Sequence, residues 1–113
     1  MNEGDFFEAD VHSALERGVP VLAMFTAGWC GACEAFEPIF QDVVSRLGGS
    51  VRAVTVDTDR LPELAAYYRI SIVPTTLLIR DERTTTICRG PLSRKRLLAE
   101  LSRQGVRVQG TIA

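Results

Sequence analysis

Trp29-Cys30-Gly31-Ala32-Cys33 stands between two apolar patterns of different period. The run before it, Val19-Pro20-Val21-Leu22-Ala23-Met24-Phe25, is short and nearly all apolar, which predicts a buried central strand of a mostly parallel sheet. The residues after it, Phe36, Ile39, Phe40, Val43, Val44 and Leu47, recur at helical spacing. Two thiols therefore sit where a strand gives way to a helix, with Cys30 at or next to the helix N-terminus. Unpaired backbone N–H groups and the positive end of the helix dipole meet a sulfur there, and both favour its thiolate. Disulfide exchange needs such a nucleophilic sulfur and a second one close enough to resolve the mixed disulfide.

The rest of the chain limits what this motif can serve. At 113 residues the sequence predicts one domain over 1–113, with a core over about 5–104 and a tail over 105–113. A net charge of −1 argues against a basic nucleic-acid face or a polybasic membrane patch. No apolar run reaches the length of a membrane span. The start, Met1-Asn2-Glu3-Gly4-Asp5, is acidic and does not read as a secretory signal. Three cysteines, two of them in a C-x-x-C, do not make a disulfide framework; without an export signal they read as redox or metal chemistry, in the cytoplasm.

Taken in order, Phe7, Val11, Ala14 and Leu15 predict an amphipathic helix over 5–17, capped by Asp5 with Glu8 in the capping-box position and stopped by Gly18. His12 reads as a surface or boundary residue of that helix. The helix after the cysteines runs to Leu47, kinked at Pro38 and ended by Gly48-Gly49. Residues 51–57 form a strand, 61–68 a short helix with Pro62 in its first turn, and 75–79 another strand. A charged turn, 80–83, leads into a hairpin partner over 84–88. Ser93 caps a last helix on which Leu97, Leu98 and Leu101 share a face. The order α-β-α-β-α-β-β-α gives an α/β layer sandwich. Val106 to Ile112 alternates like a strand; it is read as a frayed tail, the alternative being an added edge strand.

Phe25 to Cys33 with Pro38, Val73-Pro74-Thr75 and Gly90 together resemble the thioredoxin family. The resemblance covers about residues 5–104 and implies the thioredoxin fold: a central mixed sheet of four to five strands with helices on both faces. It implies a protein-disulfide reductase acting through Cys30 as attacking thiolate and Cys33 as resolving thiol, within cell redox homeostasis and electron transport. Trp29, Gly31, Ala32, Val73, Pro74 and Gly90 would form the substrate surface. Pro74 would be the family's cis-proline, exposing the Val73 backbone to an extended substrate segment. Gly90 would let a substrate backbone come close. Partners would be disulfide-containing proteins and a flavin-containing thioredoxin reductase, with no cofactor or metal held by the chain itself.

The sequence also departs from the family. Ala32 replaces the proline of the common C-G-P-C, freeing a backbone N–H near the thiols, which predicts a less strongly reducing couple. Met24 stands where typical members bury an aspartate, and Ala53 where its lysine partner is often found. The loss of both spares the core an unpaired charge and removes the usual proton acceptor for Cys33. Glu34 puts a negative charge within a turn of Cys30. The family's first strand has only about four residues available, so that edge is short or absent. Cys88 reads as a small buried hydrophobe rather than a regulatory thiol. These departures give weight to a rival reading, a binding or chaperone-like module with weak or partner-specific redox activity. Zinc fits poorly, because Cys30, Cys33, Cys88 and His12 are scattered over different elements. An oxidase or isomerase with the same cysteines fits compartments outside the cytoplasm.

Overall fold

The structure, a computed structural model, describes residues 2–81 and 83–108. Helix α1 spans Glu3–Glu16, strand β1 Val21–Thr26, helix α2 Gly31–Leu47 and strand β2 Arg52–Asp57. Helix α3 spans Pro62–Tyr67, strand β3 Thr75–Arg80, strand β4 Arg83–Arg89 and helix α4 Arg94–Arg103. The element order is the one expected. The cap of α1 is not: Asn2 accepts from the Asp5 amide at 2.9 Å, and Asp5 accepts from the Asn2 amide. A capping box accepts either acid or amide at both ends, so the helix starts two residues early and Asp5 takes the third position rather than the cap.

The four strands form one sheet in the order β2-β1-β3-β4. Only the β1–β2 pair is parallel, from Val21 beside Arg52 to Thr26 beside Asp57. β1–β3 and β3–β4 are antiparallel, which corrects the mostly parallel sheet expected around β1. The reason lies in α3. Its six residues rise about 9 Å, too little to carry the chain back along a strand of about 20 Å, so β3 enters at the end of the sheet where β2 left. No strand pairs with the outer edge of β2 among the described residues, in keeping with the missing first strand.

β1 is paired on both sides, and its residues Val21 to Phe25 are fully buried. Leu22 and Met24 face α2 and α4, where they meet Phe36, Phe40, Val43, Leu97 and Leu101. Val21, Ala23 and Phe25 face α1 and α3, where they meet Phe7, Ala14, Leu61 and Leu64. Each fully buried Leu or Phe contributes roughly 1.5–3 kcal/mol, so the two layers clamp β1 firmly. Helix α2 runs unbroken through Pro38, whose missing N–H leaves the Glu34 carbonyl without its helical donor. Past α4 the chain does not fray at once. The Val106 amide donates to the Leu101 carbonyl at 3.0 Å, and Val106 is buried in the α2–α4 core, with Val108 packed against it. Residues 106–108 are not in a strand, and the remainder of the expected tail, 109–113, lies outside the described residues.

Candidate active site

The end of β1 and the start of α2 are joined by a tight turn in which the Cys30 amide donates to the Ala27 carbonyl. Cys30 is the N-cap of α2, with extended backbone. Its sulfur accepts from the Cys33 amide at 3.1 Å, filling one of the helix's unpaired donors. The two sulfurs form a close pair, with Cα atoms 5.3 Å apart. The pair is asymmetric: Cys30 is 8% exposed and Cys33 2%. Cys30, the less deeply buried of the two, is also the one at the positive end of α2, where a thiolate gains from the helix dipole and the directed amide. Glu34, exposed on the first turn of α2, brings the opposing charge.

The segment before β3 closes over the pair. The Val73–Pro74 bond is cis, and the Val73 carbonyl lies 3.7 Å from the Cys30 sulfur. Val73 packs against Ala27, Cys30 and Cys33. The Thr75 hydroxyl donates to the Ile72 carbonyl at 2.6 Å, tying this loop to β3. Gly90 joins from the far strand, its amide donating to the Pro74 carbonyl at 2.7 Å. Its φ of +95° is one that side chains disfavour, and the space where a Cβ would stand is open. Trp29 is 73% exposed beside Cys30, while Gly31 and Ala32 are exposed on the outer side of α2. The structure thus gathers the sequence candidates at one end of the sheet. It adds Ile72, an exposed apolar side chain next to Val73 that is not among the sequence candidates. The only signal for it was its place in Ile70-Ser71-Ile72-Val73-Pro74.

Two other candidates fall elsewhere. His12 is exposed on α1 and pairs with Glu16 at 3.0 Å. Cys88 is buried on β4, and burial pushes its thiol up; contact with Thr76 across the hairpin pulls the other way without reversing this. Met24 is fully buried, and Ala53 packs against the same apolar cluster, so both positions lie in an apolar environment. Among the described residues no three His, Cys, Asp or Glu side chains gather as metal ligands.

The sequence profile of the Thioredoxin family matches residues 2–103. The chain belongs to the thioredoxin family. It is 39% identical over 77 residues to Thioredoxin H-type of Oryza sativa subsp. indica, an alignment covering 68% of this chain and 62% of that protein. It is 33% identical over 93 residues to Thioredoxin C-2 of Corynebacterium nephridii, covering 82% and 83%. With Thioredoxin Y1, chloroplastic, of Arabidopsis thaliana the chain spans only 48% of the relative's length, at 33% identity over 82 residues that cover 73% of this chain. Among solved structures, chloroplastic thioredoxin z superposes with a TM-score of 0.77 at 23% identity, covering 94% of this chain and 93% of that one. The germline-specific thioredoxin Deadhead of Drosophila melanogaster gives 0.71 at 16%, covering 92% and 94%. These likenesses establish a thioredoxin fold, and the family relation with the close cysteine pair supports thiol–disulfide oxidoreductase activity.

Proposed function

We propose that this thioredoxin-family chain reduces disulfides in proteins through a Cys30–Cys33 dithiol/disulfide cycle. The observation that carries the reading is the asymmetry of the pair: Cys30, the less deeply buried residue, caps α2 with its sulfur, and Cys33, the more deeply buried one, donates its amide to that sulfur. The Cys30 thiolate attacks one sulfur of a substrate disulfide; that S–S bond breaks and the other sulfur leaves as a thiolate. Cys33 then loses its proton and attacks the Cys30 sulfur, releasing the second substrate thiolate. Two electrons have passed to the substrate and the chain is left as a disulfide. A flavin-containing thioredoxin reductase is the donor that would restore the dithiol, and a reducing compartment such as the cytoplasm suits the cycle. No helix among the described residues is long and apolar enough to cross a membrane.

Substrate would lie across Trp29, Gly31, Ala32, Val73, Pro74 and Gly90, with Ile72 extending the apolar border. The nearness of the Val73 carbonyl to Cys30 supports backbone pairing there. One functional unit over the matched residues suffices for this cycle. A second reading, a binding or chaperone-like module, draws support from the apolar surroundings of Met24 and Ala53 and from Glu34. Insulin reduction coupled to a thioredoxin reductase separates the two. The reductase reading expects turnover that Cys30→Ser abolishes, and a trapped mixed disulfide in Cys33→Ser; the binding module would give almost no reduction.

A further inference from the structure

The cysteine surface uses only some of the apolar groups this protein leaves open. Trp29 and Ile72 border the cysteines, but Tyr67, at 76%, is the most exposed large apolar side chain among the described residues and stands on another face. It marks the rim of a groove of about 960 Å³ between α1 and α3. Phe7, Val11 and Leu15 line one wall, and Leu61, Leu64 and Tyr68 line the other. Phe7, Val11 and Leu15 recur at intervals of four on one face of α1; Phe7 is buried with its ring against Tyr68, while Val11 and Leu15 stay partly exposed. From Gly4 to Leu15 that wall extends roughly 17 Å, or three helical turns.

The rim is acidic. Glu8 stands on one side and Glu63 on the other, both exposed, and neither has an ion-pair partner among the described residues. Arg60, the groove's one arginine, is already engaged by Glu3. Glu8 also lies close enough to Tyr68 to help burial raise the phenol above its ordinary range. This local charge belongs to a larger pattern: residues 1–63 carry eleven of the fourteen carboxylates and only four of the thirteen cationic side chains.

We propose that this groove docks a basic amphipathic helix of a partner protein. Its aliphatic or aromatic residues, spaced three and four apart, would lie over the part-exposed Val11, Leu15, Leu61 and Leu64, beside Tyr67. Flanking lysines or arginines would meet Glu8 and Glu63. Both walls are helical, so they offer no row of free backbone groups to an extended strand, whereas a helix brings its own hydrogen bonds satisfied. A second copy of this chain is the poorer occupant. Its basic helix is α4, with Arg94, Lys95, Arg96 and Arg103, but Leu97 and Leu101 of that helix are fully buried against its own core. The docking is independent of thiol chemistry.

The test uses the full chain and its Cys30→Ser/Cys33→Ser variant. The probe is a fluorescent 14-residue helix of leucine and lysine with leucines at i, i+3, i+4 and i+7. A leucine–glutamate counterpart and a leucine–lysine isomer broken by D-leucines serve as controls. Both forms of the protein should bind the first probe and neither control at about 50 mM salt. Glu8→Lys with Glu63→Lys should weaken binding by about tenfold or more, a change of about 1.4 kcal/mol. Tyr67→Ala should weaken it severalfold. These side chains are exposed, so the variants keep the fold, and amide shifts on binding should cluster on α1 and α3. The proposal is overturned if the leucine–lysine helix fails to bind, or if the D-leucine isomer binds as well. It is overturned equally if the rim variants change nothing, if the shifts fall on Trp29 and Ile72, or if the chain alone self-associates through Glu8 and Glu63.

Discussion

The thiol of Cys88 sits opposite Thr76 across the hairpin, inside the core that α2 and α4 cover. Burial raises its pKa in the folded chain, while in the unfolded chain it ionises near the ordinary cysteine value. Between those two values the native state holds a proton that the unfolded state has lost, so stability falls as pH rises through that window. Tyr68, raised by burial and by its neighbours Tyr67 and Glu8, adds a loss of the same sign at higher pH. The expected result is a melting temperature that declines above about pH 9, with the first part of the decline flattened in Cys88→Ala. A thiol-reactive dye at pH 8 should titrate Cys30 quickly in the reduced protein, and the buried Cys33 and Cys88 fully only after denaturation. Met24 offers a second test at this scale. Met24→Asp places an acid in hydrocarbon, which should cost about 3 kcal/mol by denaturant unfolding. It should also raise the rate at which Cys33 resolves a mixed disulfide; an unchanged rate would mean that water already takes the Cys33 proton adequately.

Among the elements, α2 carries the chemistry and was the most legible from sequence. Phe36, Phe40, Val43 and Leu47 repeat at helical spacing, and all four are buried. The Trp29-to-Cys33 motif likewise announced its position, because a strand pattern ends and a helical pattern begins around it. Ala32 follows the cap by two residues and keeps an N–H that proline would remove. Ala32→Pro should therefore lower the reduction potential, by on the order of 30 mV, measured by equilibration with glutathione. What stayed hidden in the sequence depends on distance. The direction of β3 follows from the short rise of α3 and the loop after it, which no periodicity encodes. The Asn2 cap was missed because Asn2 and Asp5 are both competent cap residues, and only the direction of the backbone decides between them. Ile72 has no sequence signature because its short, mostly apolar run, Ile70 to Val73, does not show which of its side chains stays exposed once the chain folds.

The whole molecule is built on a mixed sheet with two inner and two outer strands. β1 and β3 lie inside it, while β2 and β4 each present an outer edge with no strand beside it among the described residues. Amide exchange should follow that order. Leu22 to Phe25 and Leu77 to Ile79 should exchange most slowly, near the global unfolding limit, and the outward amides of β2 far sooner. Protection of the β2 edge equal to that of β1 would show that something else pairs with it. Charge is divided on the same scale, with the acidic share on the α1 and α3 side of the sequence and the basic share in β4 and α4. The near-neutral total hides that division, and only the packing of α1 beside α3 turns part of the acidic share into the rim of a groove.

The amide of Cys33 aimed at the Cys30 sulfur belongs to two balances at once. With a thiolate, it caps α2 with a full negative charge; with a disulfide, it caps with a weak neutral acceptor. The helix is thus held differently in the two oxidation states, and a closed thermodynamic cycle makes this measurable. The folding free energy of the oxidised chain minus that of the reduced chain must equal the gap between the dithiol's potentials in native and denatured protein. At about 30 mV for each 1.4 kcal/mol, two unfolding curves and one denatured-state potential fix the native potential without any redox buffer touching the folded protein.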